Sequence, residues 1–482
     1  MFKKMNSLEQ FPNEFIAELK SNLNPKDFIT DEDQINPKLI DWVGYANGKS
    51  PLMLTPRNTH EVSCILKSCH NYKIPIVPQG GNTGSVAGAI PNGEIILNMT
   101  KMNNIREINP NDYTVTVDAG CILEKVHKIA ADSNRFFPLS IGSQGSCTIG
   151  GNISTNAGGI SVLKYGNMRE LVLGLEVVLP NGEIWNGLRK LRKDNTGYAL
   201  KHIFMGAEGT LGVITAASLR LFPEITEKAT AFASLKNLDS CIKLLELLRS
   251  EAGDSLSSYE LIPGIGLEIA MTYGEEIVNP LSQKYEWNVI IEFSGTKNNG
   301  SAKLSIENAL NKAIKNGIVL DATIANSLKQ ADSIWKIRKA IVEYQPRLGG
   351  EIKHDVSVPI SNVPEFIKEA NIAVSKIISN IRPVAYGHIG DGNIHYNVCP
   401  PLKYNNINFK GKTEEIHKAV YDVAFKYEGS FAAEHGVGIV KKKEMLTYKS
   451  DTEINLMRLI KLSIDSNQIM NPGKILENKN YK

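Results

Sequence analysis

The sequence predicts an α+β protein with more than one domain, and three observations carry that prediction. At 482 residues the chain is longer than a single hydrophobic core usually serves. Short β-branched segments punctuated by glycine-rich turns fill roughly the first 225 residues, a pattern of strands and tight loops. From about residue 228 longer stretches appear with apolar residues three and four apart, alternating with strands, which is the signature of helices packed on a sheet.

The elements follow in order. IPIVP (74–78), EIILNMT (94–100), YTVTVDAG (113–120) and LVLGLEVVLPNGEI (171–184) read as strands, the last folded back at Pro180-Asn181-Gly182. Leu221-Phe222-Pro223 closes the first domain, expected over 1–225. The stretches LDSCIKLLELLRSEA (238–252) and KLSIENALNKAIKNG (303–317) read as amphipathic helices, and NVIIEFSG (288–295) as a strand, in a second domain expected over 226–403. A mainly helical C-terminal region is expected over 404–482. The chain carries no internal repeat, low-complexity tract or long linker.

Composition narrows the function. Lys and Arg number 54 against 51 Asp and Glu, so no basic field of the size that nucleic acid demands is present. The 6 cysteines include no C-x-x-C pair, which excludes a zinc ribbon or thioredoxin-type motif and suits a reducing compartment. The opening MFKKMNSLEQFPNEF lacks an apolar targeting core, and no uncharged apolar stretch nears the ~20 residues of a spanning helix. A soluble cytoplasmic protein is the expectation, with peripheral docking to a membrane left open.

Glycine is concentrated. Residues 78–88 hold 4 glycines, 142–159 hold 6 and 206–212 hold 3, far above the chain average of 39 in 482. Such clusters mark backbone brought close to another group. PQGGNTGSVAG fits neither the dinucleotide fingerprint G-x-G-x-x-G nor a P-loop, yet its paired glycines beside Asn82, Thr83 and Ser85 can form a nest of N–H donors for a pyrophosphate.

AYGHIGDGNIHYNV (385–398) is the second informative stretch. Asp391-Gly392 is a type I′ hairpin signal, and a turn centred there sets His388 opposite His395, with Asn397 on the same face as His395. Two imidazoles so held suit one metal ion. A third ligand from elsewhere would complete the set, and Ala433-Glu434-His435-Gly436 offers a carboxylate and an imidazole.

VPQGGNTGSVAGA (77–89), SQGSCTIGGNISTNAGG (143–159) and FMGAEGTLGVIT (204–215) resemble the FAD-binding signatures of the FAD-linked oxidases, the vanillyl-alcohol oxidase or PCMH-type flavoproteins. GHIGDGNIHYN and AEHGVG are similar to the C-terminal part of that family's D-2-hydroxy-acid dehydrogenase branch, which includes D-2-hydroxyglutarate and D-lactate dehydrogenases. The resemblance implies a PCMH-type FAD domain and a ferredoxin-like substrate domain, with the C-terminal region completing the active site. It implies cofactor contacts from Pro78, Gly80, Gly81, Asn82, Thr83, Gly84 and Ser85. A second loop supplies Gly142, Ser143, Cys147, Thr148, Gly150, Gly151, Asn152, Thr155, Asn156 and Gly158. The third supplies Glu208, Gly209, Gly212 and Ile214.

Asn82 stands near where several members carry an attachment histidine, so the FAD is expected to be non-covalent. Cys147 reads as a buried small side chain rather than a redox thiol. Glu208 reads either as an acid at a helix N-terminus or as a group near the cofactor.

The resemblance assigns Glu434 to the metal and His435 to catalysis. With His388 and His395 this makes a His2Glu set that keeps coordination positions open, as in catalytic zinc sites, with zinc or manganese as the metal. Arg338 and Lys353 match positions that bind substrate carboxylate, and Asn397 joins them. His354 and Asp355 are expected in supporting roles. Val342 stands where the 2-hydroxyglutarate enzymes carry a hydroxyl residue, a departure that weakens that substrate. The activity so implied is FAD- and metal-dependent oxidation of a D-2-hydroxy acid, with electrons passed to electron-transfer flavoprotein or a quinone and not to NAD. D-lactate or glycolate oxidation, and a flavin-binding subunit of a larger oxidase, are the alternatives; a homodimer is possible on the same resemblance.

Overall fold

A computed structural model describes residues 8–404 and 406–477. The opening residues 1–7, part of the stretch read for targeting, lie outside them. The chain divides into two compact units, one of Met1–Gly158, Asn167–Pro223 and Glu434–Lys482, the other of Gly159–Gly166 and Glu224–Ala433. The separate C-terminal region expected from residue 404 does not form: residues up to Ala433 pack with the second unit and those from Glu434 with the first. Helical pattern alone does not say against which core a helix lies.

In the first unit Asn58 caps helix α1 (Thr59–Tyr72) by accepting the Glu61 N–H, and Val62, Ile65, Leu66 and Cys69 form its buried stripe. The chain leaves the helix through left-handed Lys73 into strand β1 (Ile76–Gln79), which pairs in parallel with β2 (Ile95–Asn98). Two short strands, Phe28–Ile29 and Met53–Leu54, extend this sheet beyond β2. The C-terminal tail lies along β1, where the Ile76 N–H donates to Ile469 and the Asn471 N–H to Ile76. Phe15, Leu54, Ile65, Ile76, Leu97, Ile469 and Met470 share one buried cluster, so the last residues complete a core begun by the first.

A second, antiparallel sheet holds β3 (Ile105–Asn109), β4 (Thr114–Asp118), β5 (Val172–Val178), β6 (Ile184–Gly187) and β7 (Val213–Arg220), in the order β3-β4-β7-β5-β6, and helix α2 (Ile149–Ser154) lies in sequence between β4 and β5. The expected turn joins β5 and β6, with Gly182 at φ +88°.

The second unit runs β8 (Glu227–Leu235), α3 (Ser240–Ala252), β9 (Leu256–Pro263), α4 (Gly264–Tyr273), β10 (Trp287–Gly295), α5 (Ser301–Lys315) and β11 (Val319–Ile324). Its antiparallel sheet has the order β9-β10-β8-β11, the ferredoxin-like arrangement. Helix α6 (Leu328–Tyr344) packs Ile334, Ile337 and Ile341 with Phe232, Ile262 and Ile290. A three-stranded sheet follows, β12 (Asp355–Ser357), then helix α7 (Val363–Ile377), β13 (Arg382–Tyr386) and β14 (Asn393–Cys399), with β14 central. Helix α8 (Thr413–Lys426) ends the unit.

The hairpin of β13 and β14 forms, but its turn is not the expected one. Tyr386, not His388, is opposite His395, and residues 387–392 make the connection. Gly387 at φ +124° ends β13 early because its backbone exchanges hydrogen bonds with Leu261 of β9. Of Asp391 and Gly392 only the glycine has positive φ, so the type I′ geometry, which needs both, is absent.

Candidate functional site

The glycine-rich segments of the first unit touch one another. A Cβ on Gly80 would lie 2.2 Å from Thr148 Oγ1, and one on Gly81 2.0 Å from the Ser146 carbonyl, so these positions admit no side chain. Thr148 is the N-cap of α2 and accepts the Gly151 N–H. Gly150 abuts Ala119, Gly209 at φ +71° packs on Pro78, and Gly212 meets Val178 and Phe204. Several of the glycines are thus required by the fold itself, whereas Gly84 and Gly142 have no neighbour within 4 Å of an added Cβ.

Asn82 and Asn156 adopt left-handed φ of 54° and 50°, and their side chains bond the Ile40 carbonyl and the Arg169 N–H. Thr155 returns its hydroxyl to Gly151, Ser143 accepts from the Cys147 N–H, and Ile214 and Gly158 are buried. Cys147 is buried beside Asn152, and burial raises its thiol pKa, as a core thiol requires.

The fit to a dinucleotide rests on donors. Among the described residues, none of the backbone N–H groups of Gly81, Asn82, Thr83, Gly84 and Ser85 donates to another group of the chain. Five successive N–H groups without protein acceptors are the kind of donor set that an anion nest offers to a pyrophosphate. Lys474 was not anticipated. It is 3% exposed, its ammonium has no hydrogen-bond or ion-pair partner among the described residues, and burial lowers its pKa. Its segment is tied to the same loop, Asn471 donating from Nδ2 to the Gly88 carbonyl.

Glu208 is not a helix-terminal acid. It lies in a turn at φ 49°, is 9% exposed, and accepts the N–H groups of Val437 and Gly438. In the same unit His435 Nε2 is 3.6 Å from Glu434 Oε1, and both side chains are partly exposed.

The second unit assembles side chains instead. Arg338 sits on the buried face of α6, its Nε 2.9 Å from Glu260 Oε2 and its guanidinium 4.6 Å from the Tyr386 ring centre. Its Nη1 and Nη2 have no partner among the described residues. The other Glu260 oxygen is 2.6 Å from His388 Nδ1. Glu260, in the wholly buried strand β9, is a residue that the sequence reading missed. A carboxylate in a run as apolar as YELIP must be paired to be buried, and that was the available signal. Burial raises its pKa, but the charges of His388 and Arg338 outweigh that and leave it below the ordinary value.

His388 and His395 do meet, with ring centres 5.3 Å apart and planes at 74°. His395 is paired across the strands with Asp355, whose Oδ1 lies 3.9 Å from His395 Nδ1 and accepts from Asn393. His354 is structural: Nδ1 meets the Tyr396 carbonyl at 2.7 Å and Nε2 the ring of His417 at 2.9 Å. Asn397 spends both amide N–H groups on Gln345 and Tyr386 and its oxygen on the His354 N–H, so its amide braces the sheet. Lys353 pairs with Glu351 at 3.0 Å. Val342 is 43% exposed, one turn beyond Arg338.

Residues 225–475 match the family described as FAD linked oxidases, C-terminal domain, and residues 51–187 the FAD binding domain. The chain belongs to the FAD-linked oxidases. It is a flavoenzyme of that family, with the PCMH-type fold.

Among relatives of this FAD-linked oxidase, the probable mitochondrial D-2-hydroxyglutarate dehydrogenase of Oryza sativa subsp. indica is 37% identical over 463 residues, covering 96% of this chain and 81% of the relative. The mitochondrial D-2-hydroxyglutarate dehydrogenase of Arabidopsis thaliana is 36% identical over 462 residues, with the same shares. The solved structure of p-cresol methylhydroxylase with substrate bound superposes at a TM-score of 0.77 with 17% identity, covering 100% of both chains, which speaks to the fold. Among the described residues no helix is long and apolar enough to cross a membrane. Relatives named mitochondrial lend no support to the cytoplasmic expectation.

Proposed function

We propose that the chain oxidises a D-2-hydroxy acid, D-2-hydroxyglutarate first among them, to the 2-oxo acid and passes the electrons to a carrier other than NAD, such as electron-transfer flavoprotein or a quinone. Arg338 carries this reading. A buried guanidinium fixed at Nε by Glu260, with both terminal nitrogens without protein partners, is built to take a carboxylate in a bidentate grip. The relatives named for D-2-hydroxyglutarate support the substrate class.

FAD, held without a covalent bond by the N–H groups of residues 81–85, would supply the hydride acceptor. A divalent cation, zinc or manganese, would be held by His388, His395 and Glu434 and would acidify the substrate hydroxyl. The donor set suits such an ion: His388 turns Nδ1 to the Glu260 carboxylate, the outer partner that metal-bound imidazoles commonly take. His435 takes the hydroxyl proton as general base. Arg338 and Lys353 bind the acid groups and orient the C2–H bond. Glu260 keeps Arg338 and His388 apart and in place.

Steady-state rates with a dye acceptor test the substrate. D-2-hydroxyglutarate is expected to exceed D-lactate and glycolate in kcat/KM, and a monoacid preferred over the diacid would establish the rival reading that Val342 favours. The roles of two neighbours are tested together: His435→Ala should keep metal and FAD and lose on the order of 10²- to 10⁴-fold in kcat, while Glu434→Ala should lose metal. Full metal occupancy in Glu434→Ala, or near-normal turnover in His435→Ala, would refute the assignment.

A further inference from the structure

Glu208 joins four separated stretches of the first unit. Its Oε1 accepts the Val437 N–H and its Oε2 the Gly438 N–H, each at 2.8 Å. Its own N–H donates to the Ser154 carbonyl at 2.8 Å, at the end of α2, and its carbonyl accepts Asn471 Nδ2 at 2.7 Å. The loop it grips is also bound to the first glycine-rich segment, through the Ile439 N–H and the Val86 carbonyl at 3.0 Å. The fit leaves no slack: a Cβ on Gly436, at φ +82°, would lie 2.6 Å from Oε1, and one on Gly438 2.1 Å from the Val86 carbonyl. Both oxygens of the carboxylate are therefore used, each on one backbone donor.

We propose that Glu208 is a positioning residue, whose two carboxylate oxygens fix residues 436–438 and thereby the aim of the adjoining Glu434 and His435. It acts through the backbone, and flavin is not its ligand. The chemistry demands two acceptors at one site. A glutamine side chain offers one oxygen and turns an NH2 donor towards the second N–H, and an aspartate is too short by a methylene to span both. A misplacement of a catalytic group by about 1 Å can cost about 10²-fold in rate, so a loop held by two hydrogen bonds is a sensitive point. The inference rests on the roles proposed for Glu434 and His435.

Hydrogen exchange and kinetics on the FAD-loaded, metal-loaded enzyme separate the possibilities. In the wild type the Val437 and Gly438 amides, although in a loop, should be strongly protected; free exchange there overturns the proposal without any variant. In Glu208→Gln the peptide spanning 434–441 should exchange faster, kcat should fall about tenfold or more with KM changed little, and FAD affinity should stay within about threefold. Unchanged exchange overturns the positioning role. Recovery of full kcat at saturating FAD would overturn it in favour of a flavin contact. Faster exchange with unchanged kcat would leave Glu208 as the holder of the loop and refute the roles given to Glu434 and His435.

Discussion

The loop at 80–85 and the cluster around Glu260 present hydrogen-bond donors by opposite means. In the first, backbone N–H groups on a glycine-rich turn are the donors, and the side chains matter chiefly by their absence. In the second, a guanidinium and an imidazole are held 8% and 7% exposed by one carboxylate that sits 78 and 128 residues away in sequence. A backbone site depends on shape and tolerates loss of any one side chain. An ionic site depends on completeness, because removing one member leaves the others buried and unpaired.

Breaking that contrast is most direct at Glu260. Glu260→Ala leaves Arg338 and His388 without their shared partner, and stability should fall by about 3–5 kcal/mol, the usual cost of orphaning one side of a buried pair. Urea unfolding followed by a probe in the second unit measures it, and FAD affinity of the surviving folded fraction should be unaltered. A loss under about 1 kcal/mol would mean that the cluster is wetter than its burial indicates.

A methyl group tests the other side of the comparison. Gly81→Ala drives a Cβ to 2.0 Å from the Ser146 carbonyl, and backbone cannot step aside as a side chain can. The strain, of about 1–3 kcal/mol, should appear as a loss in FAD affinity of roughly tenfold to a hundredfold. Gly84→Ala meets no protein atom within 4 Å and should leave the apo-protein's unfolding temperature unchanged. Flavin fluorescence titration and thermal unfolding of both variants would show whether the loop is shaped by steric limits, and equal effects from the two would show that it is not.

The smallest effect is that of acid. The Glu260 carboxyl titrates below its ordinary value in the fold, because His388 and Arg338 outweigh its desolvation. Its unfolded-state pKa is about 4.3, so its contribution is complete above that value and is lost as pH falls through the lower folded one. The difference in urea midpoint between wild type and Glu260→Gln should therefore narrow below about pH 4. A gap that stayed constant down to pH 3 or widened would contradict the charge-based account.

Legibility followed the same division. The three glycine clusters were visible because close backbone approach has a residue type of its own, and the strands and helices that carry them were visible by period. The histidine pair was found, but by a turn that does not exist: Gly387 pairs with Leu261 in another sheet, and the rings meet from a loop and a strand rather than from two strands. Asp355 is given no more than a supporting role by the sequence because its strand, only three residues long, comes beside His395 by sheet order alone. Glu208 was seen inside its motif, but of its two readings the helix-terminal one does not hold, since the motif says nothing of Val437 and Gly438, more than two hundred positions later.

By itself, then, the sequence determined the α+β class, the glycine-rich loops, the candidate metal histidines and the pair Glu434 and His435, because each is written in neighbouring residues or a short period. Only the tertiary structure decided that residues 434–477 return to the first unit, that Glu260 pairs Arg338 with His388, and that Glu208 holds the N–H groups of Val437 and Gly438 while Lys474 is buried. Those outcomes depend on which buried charges find partners once the chain is compact. In water every carboxylate is solvated and equivalent; burial makes an unpaired one costly, and the fold is where the pairing is settled.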